Sequence, residues 1–540
     1  MIPSSPLFPA RLRPLALAML LAAGLATPPA LPQVRLPSLG DSSTEEFTAG
    51  TERRLGEQIM RSIARDPDYL DDPVLLEYLQ GLWAPLVRAA RAGGDVEPDV
   101  DKTFAWEVFL VRDRSVNAFA LPGGWVGVHL GLIALTATQD ELASVLAHEL
   151  SHVSQRHIAR SVVNSQRQSM VSLAGMLLAI LAASRTQSAD AVQAAAIGGQ
   201  AVAIQGQLNF SREMEREADR IGFGILQGAG YATAGMAAMF EKLDSANRMN
   251  DSGAFPYLRT HPLTVERMAE ARSRVLVGGG EAGAAPWLHA MMQARARVLM
   301  DTNPQALRRL QEPLAGPGAP LKRDRLGQLY GGAMASMLLR DHATAQSALE
   351  EAERELAAAQ PRDALAELHL QWLRTQMLAA RGEPARALQA LDAAPAGARS
   401  RATLMLRAQA ALDWHHAGGN EPALLELRRS TEALQTWVAE HRRDGRAWAQ
   451  LSATADAIGL RLRALRANAE ARAAEGDLNG AIDRLRAAQG MARGSLAGQD
   501  FVEASIVDAR LRELTAQRRR MLIEMRGGRD PQPTDHDPLP

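Results

Sequence analysis

The sequence predicts a mainly α-helical chain in two parts: a domain of helices with a small β-hairpin or sheet, then an α-solenoid of paired helices. Three observations point there. Only one short region, 104–130, is rich in β-formers and turn residues, while its flanks carry apolar residues at helical spacing. Beyond residue 285 the chain turns to Ala, Leu and Arg, strong helix formers. That second part also contains copies of one short pattern. At 540 residues the chain is too long for one ordinary core, so more than one domain is expected.

The elements follow in order. Arg11 and Arg13 precede an apolar run from Leu15 to Leu25, and small residues Gly24 and Ala26 fit the −3 and −1 positions of a cleavage site. This reads as a cleaved secretory signal peptide over 1–26, since the run is short for a membrane span. It predicts a mature chain in the periplasm. Residues 27–50, rich in Pro, Ser and Gly, read as an arm, and 51–92 as helices. "FAWEVFLV" (104–111) is an expected strand, and Trp125 to Leu130 a second. Pro122-Gly123-Gly124 is the turn signal before the second strand, and the two are expected to form a hairpin. Thr138, with Glu141 three residues on, is a capping box for a helix whose Leu142, Val145, Leu146 and Val153 repeat at helical spacing.

"MVSLAGMLLAILAAS" (170–184) is almost wholly apolar, and 189–205 is Ala-rich. Both are short of the roughly 20 residues a span requires. They read as a helical hairpin over the site, or as peripheral membrane contact through 170–205. "GEPARALQALDAA" and "GDLNGAIDRLRAA" share a spacing, with Gly382, Ala387 and Leu391 matching Gly476, Ala481 and Leu485. "RDHATAQSALEEA" matches with Ala345, Leu349 and Ala352, and "GGNEPALLEL" is a weaker copy. This is the turn and second helix of tetratricopeptide units, which stack into a concave groove. The domains are then 51–277 and 285–526, expected to be separable, with a Pro/Asp-rich tail at 527–540.

Composition narrows the function. Net charge is −1, so nothing indicates nucleic acid as a partner. There is no cysteine, which excludes thiolate metal sites and a cysteine nucleophile. Any metal must be held by His, Asp or Glu.

"LAHELSH" (146–152) sits inside the capped helix. His148 and His152 are one turn apart on one face, so both imidazoles can reach one zinc ion. Glu149 lies one step around, placed to take a proton from water. A third ligand must come from elsewhere. In "SREMEREADRIGFGIL" (211–226), Glu215 and Asp219 share a helix face. Glu215 can complete the ligand set, and Asp219 can orient a ligand histidine. Glu213 and Glu217 are expected on the solvated face. Asn117 and Arg267 can steady substrate or a ligand carboxylate, or serve structure. His261, fixed by the Pro that follows, can fill the fourth metal position as a latch, contact substrate, or only stabilise its turn.

"VNAFALPGG", "LAHELSHVSQRH", "EREADRIG" and "THPLTVERM" together resemble the zinc-metallopeptidase family of the CAAX prenyl endopeptidases and HtpX, over roughly residues 45–275. The resemblance implies a gluzincin-type metallopeptidase domain holding one zinc per chain. It makes His148, His152 and Glu215 the ligands and Glu149 the catalytic base. Family members act on membrane or misfolded membrane proteins. Those with a signal peptide and C-terminal repeats imply stalled or unfolded outer-membrane β-barrel proteins as substrates. They also imply docking on the barrel-insertion machinery through the repeats, in a protein that both degrades and assists assembly. Substrate is expected to lie extended along the edge of strand 124–130. The rival expectations are a client-binding scaffold with a latent site, and a membrane-embedded peptidase prompted by 170–184.

Overall fold

The computed structural model describes residues 47–164, 211–249, 255–278, 287–315, 322–393, 400–494 and 498–525. The expected signal peptide at 1–26, the expected arm up to residue 46, the apolar stretches within 170–205 and the expected tail at 527–540 lie outside the described residues. Among the described residues no helix is long and apolar enough to cross a membrane.

Helix α1 (Ala49–Ile63) begins at Thr48, whose hydroxyl accepts from the Thr51 N–H. Its Leu55, Ile59 and Ile63 recur every fourth residue and pack on Phe109, Val111, Leu121 and Trp125 of the sheet. Strand β1 (Tyr69–Leu70) and helix α2 (Pro73–Gly93) follow. Asp72 caps α2 by accepting from Leu75 N–H, and Pro73 suits the first turn. A short α3 (Pro98–Thr103) leads into β2 (Glu107–Val111), β3 (Ala118–Leu121) and β4 (Trp125–His129).

The sheet order is β1-β2-β4-β3. Strands β2 and β4 run parallel, while β1 on β2 and β3 on β4 are antiparallel. This corrects the expected pairing. The 122–124 turn does close a hairpin, but its first strand is β3, not 104–111. Gly123 and Gly124, at φ 77° and 97°, take the conformations a tight reversal needs. The local strand therefore wins the antiparallel place and leaves β2 to pair in parallel. Strand β2 also starts later than expected. Trp106 is left-handed at φ 54°, and its carbonyl accepts from Trp83 Nε1 instead of continuing the strand.

The sheet's other face, with Val108, Leu110, Val126 and Val128, meets α2 and the buried helix α5 (Gln139–Ser154), reached through α4 (Leu130–Leu135). After α6 (His157–Asn164) the described chain resumes with α7 (Arg212–Gly228), α8 (Ala234–Met249), α9 (Pro256–Thr260) and α10 (Val265–Gly278). Helix α7 packs along α5.

From Trp287 on, the described chain is helical. It runs through α11 (Trp287–Met300), α12 (Pro304–Gln311), α13 (Lys322–Leu338), α14 (His342–Ala357), α15 (Ala364–Ala380) and α16 (Pro384–Asp392). Then come α17 (Arg401–His416), α18 (Glu421–Glu440), α19 (Gly445–Ala457), α20 (Arg461–Ala474), α21 (Leu478–Gly494) and α22 (Gly498–Met525). Successive helices α13 and α14, α15 and α16, α17 and α18, and α19 through α22 pack on one another, consistent with helical repeats. The residues that carried the repeat pattern are the buried ones: Ala345, Leu349, Ala352, Ala387, Leu391, Ala481 and Leu485. Gly382 and Gly476 end their helices in the left-handed conformation, and Arg340 adopts it at the glycine-free copy.

Two adjacent aspartates tie the parts together. Asp72 accepts two hydrogen bonds of 2.7 Å from Arg295 on α11, which also donates to Tyr330 and Gln376. Asp71 accepts two from Arg401 on α17, at 2.8 and 2.7 Å. The apolar core runs unbroken from Leu70 to Ala402, so the change in composition near 285 is not a packing boundary. Arg295 is only 1% exposed. Arg295→Ala strands the buried Asp72 carboxylate, and urea unfolding is expected to show a loss of about 3–5 kcal/mol. A loss within about 0.5 kcal/mol, the range of an ordinary surface change, would mean that the pair adds nothing to the fold.

Candidate metal centre

Helix α5 carries the first two donors. Thr138 Oγ1 accepts from Glu141 N–H, and Glu141 Oε2 accepts from Ala137 N–H at 2.6 Å and from Lys242 at 2.5 Å. The helix start is thereby fixed from both sides. From Asp140 to Ser154 every residue is buried. A helix buried all round must satisfy its polar side chains inside the protein. His148, Glu149 and His152 are among those side chains, each at most 2% exposed.

Helix α7 supplies the third donor. Ser211 caps it, and Glu215 stands in its first turn. Gly222 sets the spacing. A Cβ there would lie 3.2 Å from the Ala147 carbonyl and the His148 N–H, so the two helices meet backbone to backbone. Glu215 Oε1 then lies 3.4 Å from His152 Nε2, and its Oε2 lies 3.5 Å from His148 Nε2. The two histidine Nε2 atoms are 3.0 Å apart.

His261 is the C-cap of α9, and its N–H donates to the Tyr257 carbonyl. Its ring stacks on Tyr257, with centroids 4.8 Å apart. Its Nδ1 lies 2.9 Å from Glu215 Oε1 and 3.3 Å from His148 Nε2, and its Nε2 lies 3.5 Å from Glu149 Oε1. Donor atoms of His148, His152, Glu215 and His261 all fall within 4.8 Å of one another, a potential metal site.

The residues behind these donors hold them in place. Asp219 Oδ1 is 3.0 Å from His148 Nδ1, the nitrogen facing away from the cluster. Arg267 bonds both Asp219 oxygens at 2.6 and 2.8 Å, reaches Glu215 Oε2 at 2.8 Å and donates to the Pro262 carbonyl. Arg267 thus faces ligand-side carboxylates. Asn117 heads β3, outside these contacts, with a buried Oδ1 that finds no hydrogen-bond partner among the described residues.

One contributor was not visible in sequence. His157 Nδ1 lies 2.8 Å from His152 Nδ1, and its Nε2 lies 3.1 Å from Glu217 Oε2, which Arg160 also reaches. The hydrogen bond from His157 holds the Glu217 carboxyl down at about 2. Glu217 is therefore not a free member of a solvated face. The chain turns back to bring His157 here because Arg156 is left-handed at φ 52°. That conformation costs about 1–2 kcal/mol. It is offset by Arg156 bonds to Glu52 and to the Phe47 carbonyl.

The cluster fits a divalent cation. Its donors are nitrogen and oxygen only. Three buried carboxyl groups (Glu149, Glu215, Asp219) face one buried guanidinium (Arg267), an acidic excess that a divalent cation would offset. Both Glu149 oxygens are buried without a full hydrogen bond. Burial raises the Glu149 pKa, opposed by His261, His148 and the nearby Ala120 amide. Burial works against the charge on Glu215 as well, but His261 and the other imidazoles outweigh it and hold its carboxyl well below the usual range. The Ala120 amide belongs to β3, the strand lying beside α5. Strand β4 is paired on both sides, so among the described residues the unpaired edge next to Glu149 is β3, and the expected edge at 124–130 is corrected.

A buried helical pair of histidines with a glutamate between them, completed by a carboxylate from a second helix, is the donor plan of a metallopeptidase. Residues 89–275 match the model of peptidase family M48. The chain belongs to that family: it is 30% identical to the beta-barrel assembly-enhancing protease of Yersinia pestis over 92% of this chain and 94% of the relative. It is 38% identical to the putative beta-barrel assembly-enhancing protease of Vibrio cholerae over 45% of this chain. That match spans about half (47%) of the relative's length. Mitochondrial metalloendopeptidase OMA1 of Saccharomyces cerevisiae is 29% identical over 35% of this chain and 53% of its own.

His157→Ala is expected to lower metal affinity about 10- to 100-fold, as loss of support behind a ligand does. Competition with a metal-binding dye checks this. Unchanged affinity would reduce His157 to packing.

Proposed function

We propose that the chain is a periplasmic zinc-dependent endopeptidase that degrades misfolded or stalled outer-membrane proteins and assists their assembly. The observation that carries the peptidase reading is the buried donor cluster with Glu149 beside it. The names of the Yersinia and Vibrio relatives support the client class, and the N-terminal Arg-plus-apolar pattern supports export.

In this reading His148, His152 and Glu215 hold one zinc, and Asp219 and Arg267 orient the donors. When bound, the ion supplies Lewis acidity to a substrate carbonyl and makes water easier to deprotonate. The substrate backbone extends along β3, whose edge hydrogen bonds read backbone rather than side chains, so selectivity is weak. Glu149 accepts a proton from the attacking water and returns it to the leaving nitrogen. Its burial favours the protonated form it needs midway. The α13–α22 helices serve as tetratricopeptide-like pairs that dock clients and the barrel-insertion machinery through their concave face.

His261 acts as a latch. Its Nδ1 shares the space between His148 and Glu215, where a fourth nitrogen ligand would exclude water. Stacking on Tyr257 and the Pro262–Arg267 bond hold it there.

Metal analysis and casein hydrolysis test the core of this reading. Glu149→Gln is expected to keep zinc and lose hydrolysis by at least about 100-fold, as removal of a proton-transfer group does. Glu215→Ala is expected to lose both. Equal zinc content in Glu215→Ala and the parent would remove Glu215 from the ligand set. His261→Ala is expected to keep zinc and raise proteolysis. A fall in turnover with zinc retained would make His261 a catalytic aid, and no change at all would make it structural.

A further inference from the structure

A cavity of about 810 Å³ opens between the sheet and the α18–α20 helices, on the side of the sheet away from β3. Its size is that of a ligand site, roughly 300–1,000 Å³. One wall is a strand edge. Strand β1 pairs only with Leu110 and Val111, and the chain then leaves for α2. Among the described residues no strand lies opposite Glu107, Val108 and Phe109 on the β1 side of β2, and these three residues line the cavity. Glu107 N–H donates to Gly124 on the β4 side. By strand alternation Val108 turns its N–H and C=O the other way. The facing wall offers a Trp437–His441 stack, with centroids 3.9 Å apart, and the exposed Arg442 and Arg446. Acidic groups such as Glu440 and Asp66 also line it, so the cavity selects no single charge.

We infer that this cavity is an exosite that holds an extended segment of an unfolded polypeptide substrate as an added strand on β2. An open edge is complementary to one chemistry, an extended backbone. Aromatic and mixed-charge side chains opposite it suit passing side chains without demanding a motif. This rests on the peptidase reading above, and it extends that reading to a second contact remote from cleavage. Strands bound at the outer edges of β2 and β3 would be four spacings apart, roughly 19 Å. A substrate therefore needs more than about six residues between the segments to use both. Long unfolded chains gain from the exosite and short peptides do not.

The test compares the full-length parent with His441→Ala/Arg446→Glu, both exposed positions outside the catalytic machinery, and with Val108→Pro, which removes the edge N–H. Casein and a hexapeptide are the substrates, and amide exchange is followed over 107–109 with casein added to the Glu149→Gln chain. The expected result is a KM for casein raised at least about fivefold with kcat unchanged. Hexapeptide cleavage should be unaltered, and exchange at 107–109 should slow when casein is added. Equal changes for both substrates, or no change in exchange, would overturn the exosite. Protection at 107–109 that rises with protein concentration alone would assign the edge to a second copy and overturn it as well. Binding and exchange need no hydrolysis, so failure of the parent to cleave casein would count against the peptidase reading and leave this inference to the exchange result.

Discussion

The site depends on two helices meeting backbone to backbone. Helix α5 is buried from Asp140 to Ser154, and α7 comes against it where Gly222 faces Ala147 and His148. An added Cβ would lie 3.2 Å from that backbone, so a side chain at 222 presses α7 away from α5, the helix that carries the histidines. The same approach forces five ionisable groups out of water: His148, Glu149, His152, Glu215 and Asp219. Desolvating carboxylates is costly unless they are matched. Arg267 matches part of the charge, and the rest gives the interior its affinity for a divalent ion. Metal binding and helix packing are thus two views of one constraint.

Helical spacing put His148 with His152, and Glu215 with Asp219, on shared helix faces; the family resemblance joined the two pairs, and Arg267 stood only as a candidate beside them. Thr138 was legible for the same reason, since a cap acts over three residues. The strand order was not. Antiparallel pairing across 122–124 is local, but the parallel register of β2 on β4 depends on where α2 and α5 pack. Its early kink depends on Trp83 meeting the Trp106 carbonyl, 23 residues away. His157 was hidden because its role follows from a left-handed Arg156, held by Glu52 over 100 residues earlier. The repeats were legible where the pattern was dense. The α19–α20 pair lacks it and emerged from packing alone.

The loop that carries His261 is tied to the carboxylates through one guanidinium. Arg267 holds Glu215, Asp219 and the carbonyl of Pro262, the residue next to His261. A shift of that loop cannot leave the third carboxylate untouched. Position of the loop and geometry of the donors are therefore mechanically linked, as expected where packed elements have discrete arrangements.

The paired aspartates carry a consequence for how the chain is made. Asp72 waits for Arg295, 223 residues later, and Asp71 waits for Arg401, 330 residues later. Contacts this distant in sequence slow folding, because a long loop must close before they form. A chain emerging from its N-terminus therefore holds α2 with two unmatched carboxylates until most of it has been delivered. During that interval its apolar core is open to solvent and to other proteases.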